Sequence, residues 1–356
     1  MKRRKLRDLG ISIGILPVGA KNCLTDVPGV HVGHKTLHYP LENNEYASTG
    51  VTAILPHGDN LFRYKVAAAA HVINGYGKTT GLVQLDELGR LESPIMLTNT
   101  FGVPAVTQGT LEYLLEQNPD IGNTIGTVNV VVGECNDSYL NSIRKFLVEP
   151  NHAKQAINNA TTDQAKEGAV GAGMGMVCCD YKGGIGTSSR LISSSKMNRT
   201  YTIGCLVLSN FGQEKDLLRH QIFSKQAKLN EKQSSKESDG SIMIILATNA
   251  PLNERQLKRL AKRAGIGLGK SGSQIAHGSG DVVIAFSTAQ TFSTQTSNHE
   301  ETLIQLREDH PIMNELFRGV AEVTEEAILN SLTQARTTVG RQGRVVEALD
   351  YHLIKS

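Results

Sequence analysis

The feature that most restricts how this chain can fold is an abrupt change of composition at Ser241. Residues 224–240 (SKQAKLNEKQSSKESDG) carry almost no apolar side chain, whereas residues 242–247 (IMIILA) are as hydrophobic as any stretch of the chain. A short, continuous apolar run is typical of a strand buried in a protein core. The simplest interpretation is therefore a solvated surface loop followed by a core strand.

A second interpretation concerns the Gly240–Ser241 step itself. A flexible, charged loop that stops at a Gly-Ser step against a buried strand is a place where a precursor could cut itself. The cut would make Ser241 a new N-terminus, with a hydroxyl nucleophile and a free α-amine. Since that amine has an ordinary pKa of about 7.7–8.0, it could act as the base without any histidine.

The length and the order of predicted elements indicate one layered α/β domain covering residues 1–356. Strands are predicted at residues 50–55, 94–99, 127–132, 200–210 and 281–286. Helices are predicted at the Ala-rich residues 65–74 and at residues 106–117, 253–264 and 320–332. Asn253 is expected to cap the third helix and Gly265 to end it.

Charge and composition exclude several classes of function. A net charge of +3 without a long basic stripe gives no sign of a nucleic-acid partner, and no apolar stretch approaches the roughly 20 residues that cross a bilayer. Asp8 interrupts the short apolar run after the basic N-terminus, so a signal peptide is not expected. Five cysteines without framework spacing suit a reducing compartment. We therefore expect a cytoplasmic protein without membrane or nucleic-acid partners.

Three glycine-rich stretches resemble nucleotide-binding loops, but none fits its context. Residues 264–271 (AGIGLGKS) follow a predicted helix instead of a strand, and residues 171–175 (GAGMG) lack the final spacing of a dinucleotide loop. Residues 183–190 (GGIGTSSR) could fold around an anion or let two elements pack closely, and close packing is favoured. No histidine or cysteine has metal-ligand spacing. Neither a cofactor nor a metal is expected.

Two groups of residues could complete a site around Ser241. In an extended segment Ser279 and Asp281 lie on one face, where a hydroxyl and a carboxylate can orient an ammonium or a serine. The alternative is a Gly-Ser turn whose aspartate caps a backbone amide. Glu134 follows the strand predicted at residues 127–132 and could bind a substrate amine, and Tyr139 could donate to an oxyanion or orient the nucleophile.

The alternative for the segment of Glu134 and Tyr139 is a capped turn into a helix, since Asn136 and Asp137 are good N-cap residues. Asn210 ends another predicted strand and could donate its amide to an oxyanion. Taken singly, such an asparagine is more often a turn residue. The sequence also lacks a Gly-x-Ser-x-Gly elbow and a HExxH pattern, which disfavours a Ser-His-Asp hydrolase or a zinc peptidase.

These segments carry a resemblance that spans nearly the whole chain. The sequence resembles the self-processing aminopeptidases of peptidase family S58, which include the L-aminopeptidase/D-amidase/D-esterase and the β-peptidyl aminopeptidases. The matching segments are residues 7–11 (RDLGI), 25–30 (TDVPGV), 74–77 (NGYG), 80–83 (TGLV), 97–100 (LTNT), 133–134 (GE), 183–190 (GGIGTSSR), 239–242 (DGSI), 249–252 (NAPL), 278–281 (GSGD) and 343–349 (GRVVEAL).

The resemblance implies an αββα four-layer sandwich of the N-terminal-nucleophile-hydrolase type. It implies cleavage at Gly240–Ser241 into chains 1–240 and 241–356, with residues 224–240 as the processing loop. Ser241 would be the nucleophile, assisted by Ser279 and Asp281. Some family members have glutamate where this chain has Asp281.

The resemblance also assigns the groups around the nucleophile. Asn210 would donate to the oxyanion and Glu134 would hold the substrate's amine, with Tyr139 a further binding residue. The implied activity is release of the N-terminal residue from short peptides, amides or esters by a homo-oligomer of processed heterodimers. Two alternatives stay open: an acyltransferase of the ornithine acetyltransferase type, and an unprocessed binding protein.

Overall fold

The computed structural model describes residues 3–194, 199–217, 219–223, 240–294 and 298–354. Within these ranges the strands are β1 (His31–Pro40), β2 (Tyr46–Leu55), β3 (Tyr64–Gly75), β4 (Arg90–Leu91), β5 (Ile95–Asn99), β6 (Val131–Cys135), β7 (Val177–Cys178), β8 (Tyr181–Lys182), β9 (Gly184–Ser194), β10 (Arg199–Asn210), β11 (Ser241–Thr248), β12 (Gly280–Ser293), β13 (Thr338–Val339) and β14 (Val345–Val346). The α-helices are α1 (Leu82–Leu88), α2 (Val103–Gln117), α3 (Pro150–Asn158), α4 (Glu214–Leu217), α5 (Glu254–Lys270) and α6 (Ile312–Gln334).

Two sheets form the centre of the molecule. One has the strand order β1-β2-β5-β6 and the other the order β4-β3-β12-β11-β10-β9. Each sheet contains one parallel pair, β5 with β6 and β11 with β12, whose strands are joined through a helix, α2 and α5 respectively. Helices α2 and α3 contact the four-stranded sheet, and α5 and α6 contact the six-stranded sheet.

Three clusters of buried apolar side chains show the order of the layers. One lies between the six-stranded sheet and helices α5 and α6, one between the two sheets, and one between the four-stranded sheet and helices α2 and α3. The predicted αββα four-layer sandwich is confirmed. None of the described helices is long and apolar enough to cross a membrane.

Strand β11 explains the continuous apolar run that follows Ser241. Ile242, Ile244 and Leu246 belong to the cluster under α5 and α6. Met243 and Ile245 belong to the cluster between the sheets. Because successive side chains of a strand point to opposite faces, a strand covered on both sides needs apolar residues at every position.

The prediction of an Ala-rich helix at residues 65–74 was wrong, since these residues lie in strand β3. The segment pairs antiparallel with β12, and its alanines are buried alternately on the helix side (Ala67, Ala69) and between the sheets (Ala68, Ala70). Alanine favours a helix intrinsically, but that preference is weak beside burial on both faces and a full ladder of hydrogen bonds.

Helix α5 begins as predicted but extends further than predicted. The Asn253 side chain accepts a hydrogen bond of 2.8 Å from the amide of Gln256, which is the expected cap. Gly265 does not end the helix, which continues to Lys270 through the P-loop-like residues. Here a glycine serves helix packing: a methyl group built on Gly267 would lie 2.5 Å from the carbonyl oxygen of Ala321 in α6.

The glycines of residues 183–190 also serve close packing, the alternative favoured from the sequence. A methyl group on Gly186 in β9 would lie 2.7 Å from the amide nitrogen of Ser331 in α6. At the end of the segment Arg190 is fully buried and pairs with Glu322 at 2.8 Å and Glu326 at 2.6 Å, both from α6. The segment therefore joins the sheet to the long helix.

Two alanine substitutions in α5 should have opposite effects on stability. Gly267→Ala should lower the free energy of unfolding by about 1–3 kcal/mol, because its methyl group meets the backbone of α6. Gly269→Ala should raise it by about 0.5–1 kcal/mol, because nothing lies within 4 Å of the new methyl group and alanine is the better helix former. Denaturant unfolding measures both, and equal effects of the two substitutions would contradict the packing described.

Candidate active site

The predicted catalytic residues converge where three neighbouring strands of the six-stranded sheet begin or end. Ser241 starts β11 and lies opposite Asn210, the last residue of the antiparallel β10. On its other side Ser241 lies opposite Gly280, the first residue of the parallel β12. The register of the sheet therefore places Asn210 and the Gly280 segment on the two flanks of Ser241.

The hydroxyl of Ser241 is held by a backbone donor. The amide of Gly280 donates to Ser241 Oγ at 3.2 Å. The same amide lies 3.3 Å from the carbonyl oxygen of Gly240, the residue before the serine. One N–H group thus contacts both the hydroxyl and the carbonyl of the Gly240–Ser241 bond. Backbone donors placed in this way polarise a carbonyl and stabilise an oxyanion that forms from it.

A close approach of two glycines connects this donor to the four-stranded sheet. A methyl group built on Gly280 would lie 2.7 Å from Gly77 Cα and 3.3 Å from Ser241 Oγ. A methyl group built on Gly77 would lie 3.3 Å from Glu134 Oε1. A side chain at Gly280 would collide with the backbone of Gly77, and one at Gly77 would be tight against Glu134 and Gly280. Ser241 and the carboxylate of Glu134 thus border the same pair of glycines.

Ser279 and Asp281 lie together, as expected from their spacing. The Ser279 hydroxyl donates to Asp281 Oδ1 at 2.5 Å, and the amide of Ile242 donates to the same oxygen at 3.2 Å. Asp281 Oδ2 is buried and has no hydrogen-bond partner among the described residues. Burial raises the pKa of Asp281, and the two donors oppose that rise. A buried carboxylate with one unused oxygen lies next to the residue that follows Ser241.

Asn74 fixes the turn that leads into β12. Its amide Nδ2 lies 3.2, 3.0 and 2.5 Å from the carbonyl oxygens of Ala276, His277 and Ser279. The pairing of β12 with β3 is shifted at this point, just after the pair Asp281–Asn74. Bulges of this kind redirect side chains and are common beside active sites.

The side-chain amide of Asn210 is oriented by two backbone groups. The amide of Val177 donates to Asn210 Oδ1 at 2.9 Å, and Asn210 Nδ2 donates to the carbonyl oxygen of Asn136 at 3.0 Å. A primary amide has two N–H groups, so one remains for a further acceptor.

Glu134 is buried at the end of β6 with 3% of its surface exposed. The amide of Lys78 donates to Oε1 at 2.7 Å, and the Thr100 hydroxyl donates to Oε2. A carboxylate accepts about four hydrogen bonds, so two such donors leave it able to bind an ammonium group.

The model of the peptidase family S58 matches residues 22–346 of the chain. The chain belongs to peptidase family S58. This confirms the resemblance seen in the sequence.

Relatives of this S58 peptidase match it over almost its full length. The beta-peptidyl aminopeptidase BapA of Sphingosinicella microcystinivorans is 36% identical over 370 residues, which cover 98% of this chain and 90% of the relative. A Pyrococcus horikoshii OT3 protein of known crystal structure is 45% identical in sequence. Its structure matches with a TM-score of 0.88, over 98% of this chain and 96% of its own.

A third relative is described by its fold. The L-aminopeptidase D-Ala-esterase/amidase of Ochrobactrum anthropi is 31% identical, with a TM-score of 0.86 and coverage of 98% of this chain and 96% of its own. Its structure is described as a prototype for the serine aminopeptidases and a new variant among the Ntn hydrolase fold. The S58 peptidase described here has that fold.

The catalytic and binding roles predicted for residues of the S58 site, and the predicted cleavage, stay predictions. Tyr139 is 52% exposed, and its ring lies 4.9 Å from the guanidinium of Arg344, whose Nη1 donates to its carbonyl oxygen at 3.1 Å. Its role therefore stays a prediction. Of the predicted processing loop, Gly240 is described, whereas residues 224–239 lie outside the described residues.

Reasoning from the residues alone did not give roles to Gly77, Asn74 and the amide of Gly280 in the S58 site. Gly77 and Asn74 belong to the segment NGYG, which the sequence shares with the family. That segment was a signal, but nothing in it predicts three carbonyl partners for an asparagine or a contact between two glycines from distant strands.

Proposed function

We propose that the protein is a self-processing serine aminopeptidase that acts through Ser241. The observation that carries the proposal is the amide of Gly280, which contacts both Ser241 Oγ and the carbonyl oxygen of Gly240. A nucleophile and the carbonyl that it would attack thus share one donor. The proposal divides the chain into an α chain of residues 1–240 and a β chain of residues 241–356 within a single domain.

Self-processing proceeds by transfer of an acyl group from nitrogen to oxygen. Ser241 Oγ attacks the carbonyl carbon of Gly240, the C–N bond to Ser241 breaks, and the hydroxyl proton ends on the released nitrogen. Water then hydrolyses the ester, which leaves a carboxylate on Gly240 and a free amine on Ser241. The Gly280 amide stabilises the negative charge that develops on the Gly240 oxygen.

The released amine then serves as the base for turnover. It accepts the proton of Ser241 Oγ while the oxygen attacks the carbonyl carbon of a substrate, and it returns a proton to the leaving group. The spare N–H of Asn210 donates to the oxyanion, and Asp281 Oδ2 accepts a hydrogen bond from the new amine. Water releases the acyl group in the second half of the reaction.

Glu134 explains why the substrate would need a free N-terminal amine. We assign its carboxylate to the ammonium group of the substrate, which makes the enzyme an aminopeptidase on short peptides, amides or esters. The family and the named relatives are peptidases, which does not favour the acyltransferase alternative. We further propose a cytoplasmic homo-oligomer of processed heterodimers, with Tyr139 as an additional binding residue.

The direct test of processing is denaturing mass spectrometry of the purified protein. Wild type should give two fragments that divide between Gly240 and Ser241, and Ser241→Ala should give one uncut chain without peptidase activity. The matched control is Ser287→Ala. It removes a buried hydroxyl that donates to the carbonyl oxygen of Ala250, at the end of the β11–β12 pair away from Ser241, and this variant should be cut like wild type. An uncut wild type that still releases N-terminal residues would refute the mechanism, and an uncut, inactive one would favour a binding protein.

Removal of the carboxylate of Glu134 should abolish the preference for free amines. Glu134→Gln should lower kcat/KM for a peptide amide with a free N-terminus by about 10–100-fold, because a hydrogen bond to a charged group contributes about 1.5–3 kcal/mol. The rate on the N-acetylated substrate should change little. Glu92→Gln, at another buried carboxylate that bonds Asn129, controls for loss of a buried charge. An unchanged ratio of the two rates would rule out the amine-binding role.

The acid limb of the pH–rate profile should depend on Asp281. A carboxylate raises the pKa of a nearby ammonium, so Asp281→Asn should lower the pKa of the Ser241 amine. The acid limb of kcat/KM should therefore move to lower pH by about one unit, while the maximal rate falls. Asp86→Asn removes the same charge at the surface, where Asp86 pairs with Lys258, and should not move the limb. A shift of the Asp281→Asn limb to higher pH would contradict the proposed contact.

A further inference from the structure

Lys182 is a buried cation that the mechanism above does not use. It is fully buried in β8, and its ammonium donates to three carbonyl oxygens: Gly173 at 2.9 Å, Met176 at 2.7 Å and Gly183 at 2.8 Å. An ammonium group has three N–H donors, so all of them are used. Lys182 has no salt bridge within 4.0 Å in the described part of the chain, so its charge is solvated by backbone dipoles instead of a carboxylate.

A lysine in this setting costs free energy, which suggests that it does more than fill space. Burial of a charged amine without a counter-ion is unfavourable, and burial lowers the pKa of Lys182 to about 7. The nearby Cys178 and Asp137 oppose that shift. An apolar side chain of similar length would avoid this cost, but it would remove a donor from three buried carbonyl groups. The carbonyls of Gly173 and Met176 would then keep only the backbone amides of Met176 and Gly183.

One of the three carbonyls belongs to the peptide group that orients Asn210. The peptide group between Met176 and Val177 accepts from Lys182 through its carbonyl oxygen at 2.7 Å. Its N–H donates to Asn210 Oδ1 at 2.9 Å. A single rigid peptide plane therefore joins the ammonium group to the side-chain amide next to Ser241.

We propose that Lys182 is a positioning residue for the oxyanion donor Asn210, acting through the peptide group of Met176 and Val177. This inference rests on the function proposed above. The ammonium, together with the amide of Gly183, which donates to the same Met176 oxygen at 3.2 Å, fixes the plane of the peptide. Its N–H then points at Asn210 Oδ1, and Nδ2 donates to the carbonyl oxygen of Asn136. A donor held in place before the reaction costs no reorganisation when the oxyanion forms.

The same chain of bonds also strengthens the donor electronically. A cation at the carbonyl oxygen draws electron density through the peptide group and makes its N–H a stronger donor. Acceptance of that bond by Asn210 Oδ1 in turn makes the Nδ2 hydrogens more positive. Chains of hydrogen bonds reinforce one another by about 10–30% per bond. Lys182 thus improves both the position and the strength of the donor.

A double-mutant cycle with Asn210 tests this role. The variants are Lys182→Met, Asn210→Ala and the double variant, each purified and checked by mass for complete cleavage at Gly240. Loss of a single oxyanion donor typically lowers kcat by about 10²–10³-fold, and loss of its positioning should lower kcat by about 10–100-fold. KM should change by less than about threefold, because the oxyanion forms only in the transition state.

The decisive result is the effect of Lys182→Met in the Asn210→Ala background. If Lys182 acts through Asn210, then Lys182→Met should lower the kcat of the Asn210→Ala variant by less than about twofold, because the group that Lys182 positions is already gone. Equal losses in both backgrounds would overturn the inference and leave the proposed function intact. Full activity of Asn210→Ala would overturn the inference together with the assignment of Asn210, while cleavage at Ser241 would still stand.

Two further variants separate positioning from folding. Lys5→Met removes another buried lysine, which donates to Asn22 and pairs with Glu167 at 3.0 Å, and it should leave kcat within about twofold. If Lys182→Met gives no folded enzyme, Lys182→Gln, which keeps two N–H donors, goes through the same cycle. Failure of both to fold, or a folded but uncut Lys182 variant beside a cut Asn210→Ala, would overturn the inference.

Discussion

Strand β11 is hydrogen-bonded along both edges and covered on both faces, and the geometry of the site depends on that position. It lies between β10 and β12 in the six-stranded sheet, with helices on one side and the second sheet on the other. Its register alone places Ser241 opposite both Asn210 and Gly280. The hydroxyl of Ser241, the proposed nucleophile, therefore lies on a rigid sheet instead of a loop, and small errors of position are costly in catalysis.

The same position explains how the chain could be cut without falling apart. Strands β11 and β12 come from the segment after residue 240, and they lie between β3 and β10, which come from the segment before it. Helix α6 is also tied to the earlier segment, since its Glu326 pairs with both Arg7 and the buried Arg190. Separation of the two pieces would expose two central strands and break buried ion pairs, which is strongly unfavourable.

Much of the fold could be predicted from local patterns, and the failures have physical causes. The apolar run after Ser241 predicts its strand because burial on both faces leaves a simple pattern. The alanines of β3 show no such pattern, because small side chains suit both a helix and a strand between close layers. Gly265 was expected to end its helix, yet α5 continues to Lys270 because its next turn packs against α6 at Gly267. Helix propensity describes an isolated helix, whereas these outcomes depend on the strands and helices that pack against the segment.

The site could be predicted only as a set of residues, because its arrangement depends on pairings between distant segments. Spacing suggested that Ser279 and Asp281 share a face, and positions at strand ends suggested Asn210 and Glu134. The resemblance then assigned a role to each of the four. Neither source connects Lys182 to Asn210, since that connection runs through the backbone of Val177 and leaves no side-chain pattern.

The two proposed reactions also place different demands on one site. Before the cut, the nitrogen of Ser241 is an amide whose lone pair is delocalised, so it cannot act as a base. The first step therefore needs another proton acceptor, whereas the donor at Gly280 already contacts the carbonyl of Gly240. In the proposed scheme, cleavage then supplies the amine base at a position where Gly280 and Asn210 already offer their donors.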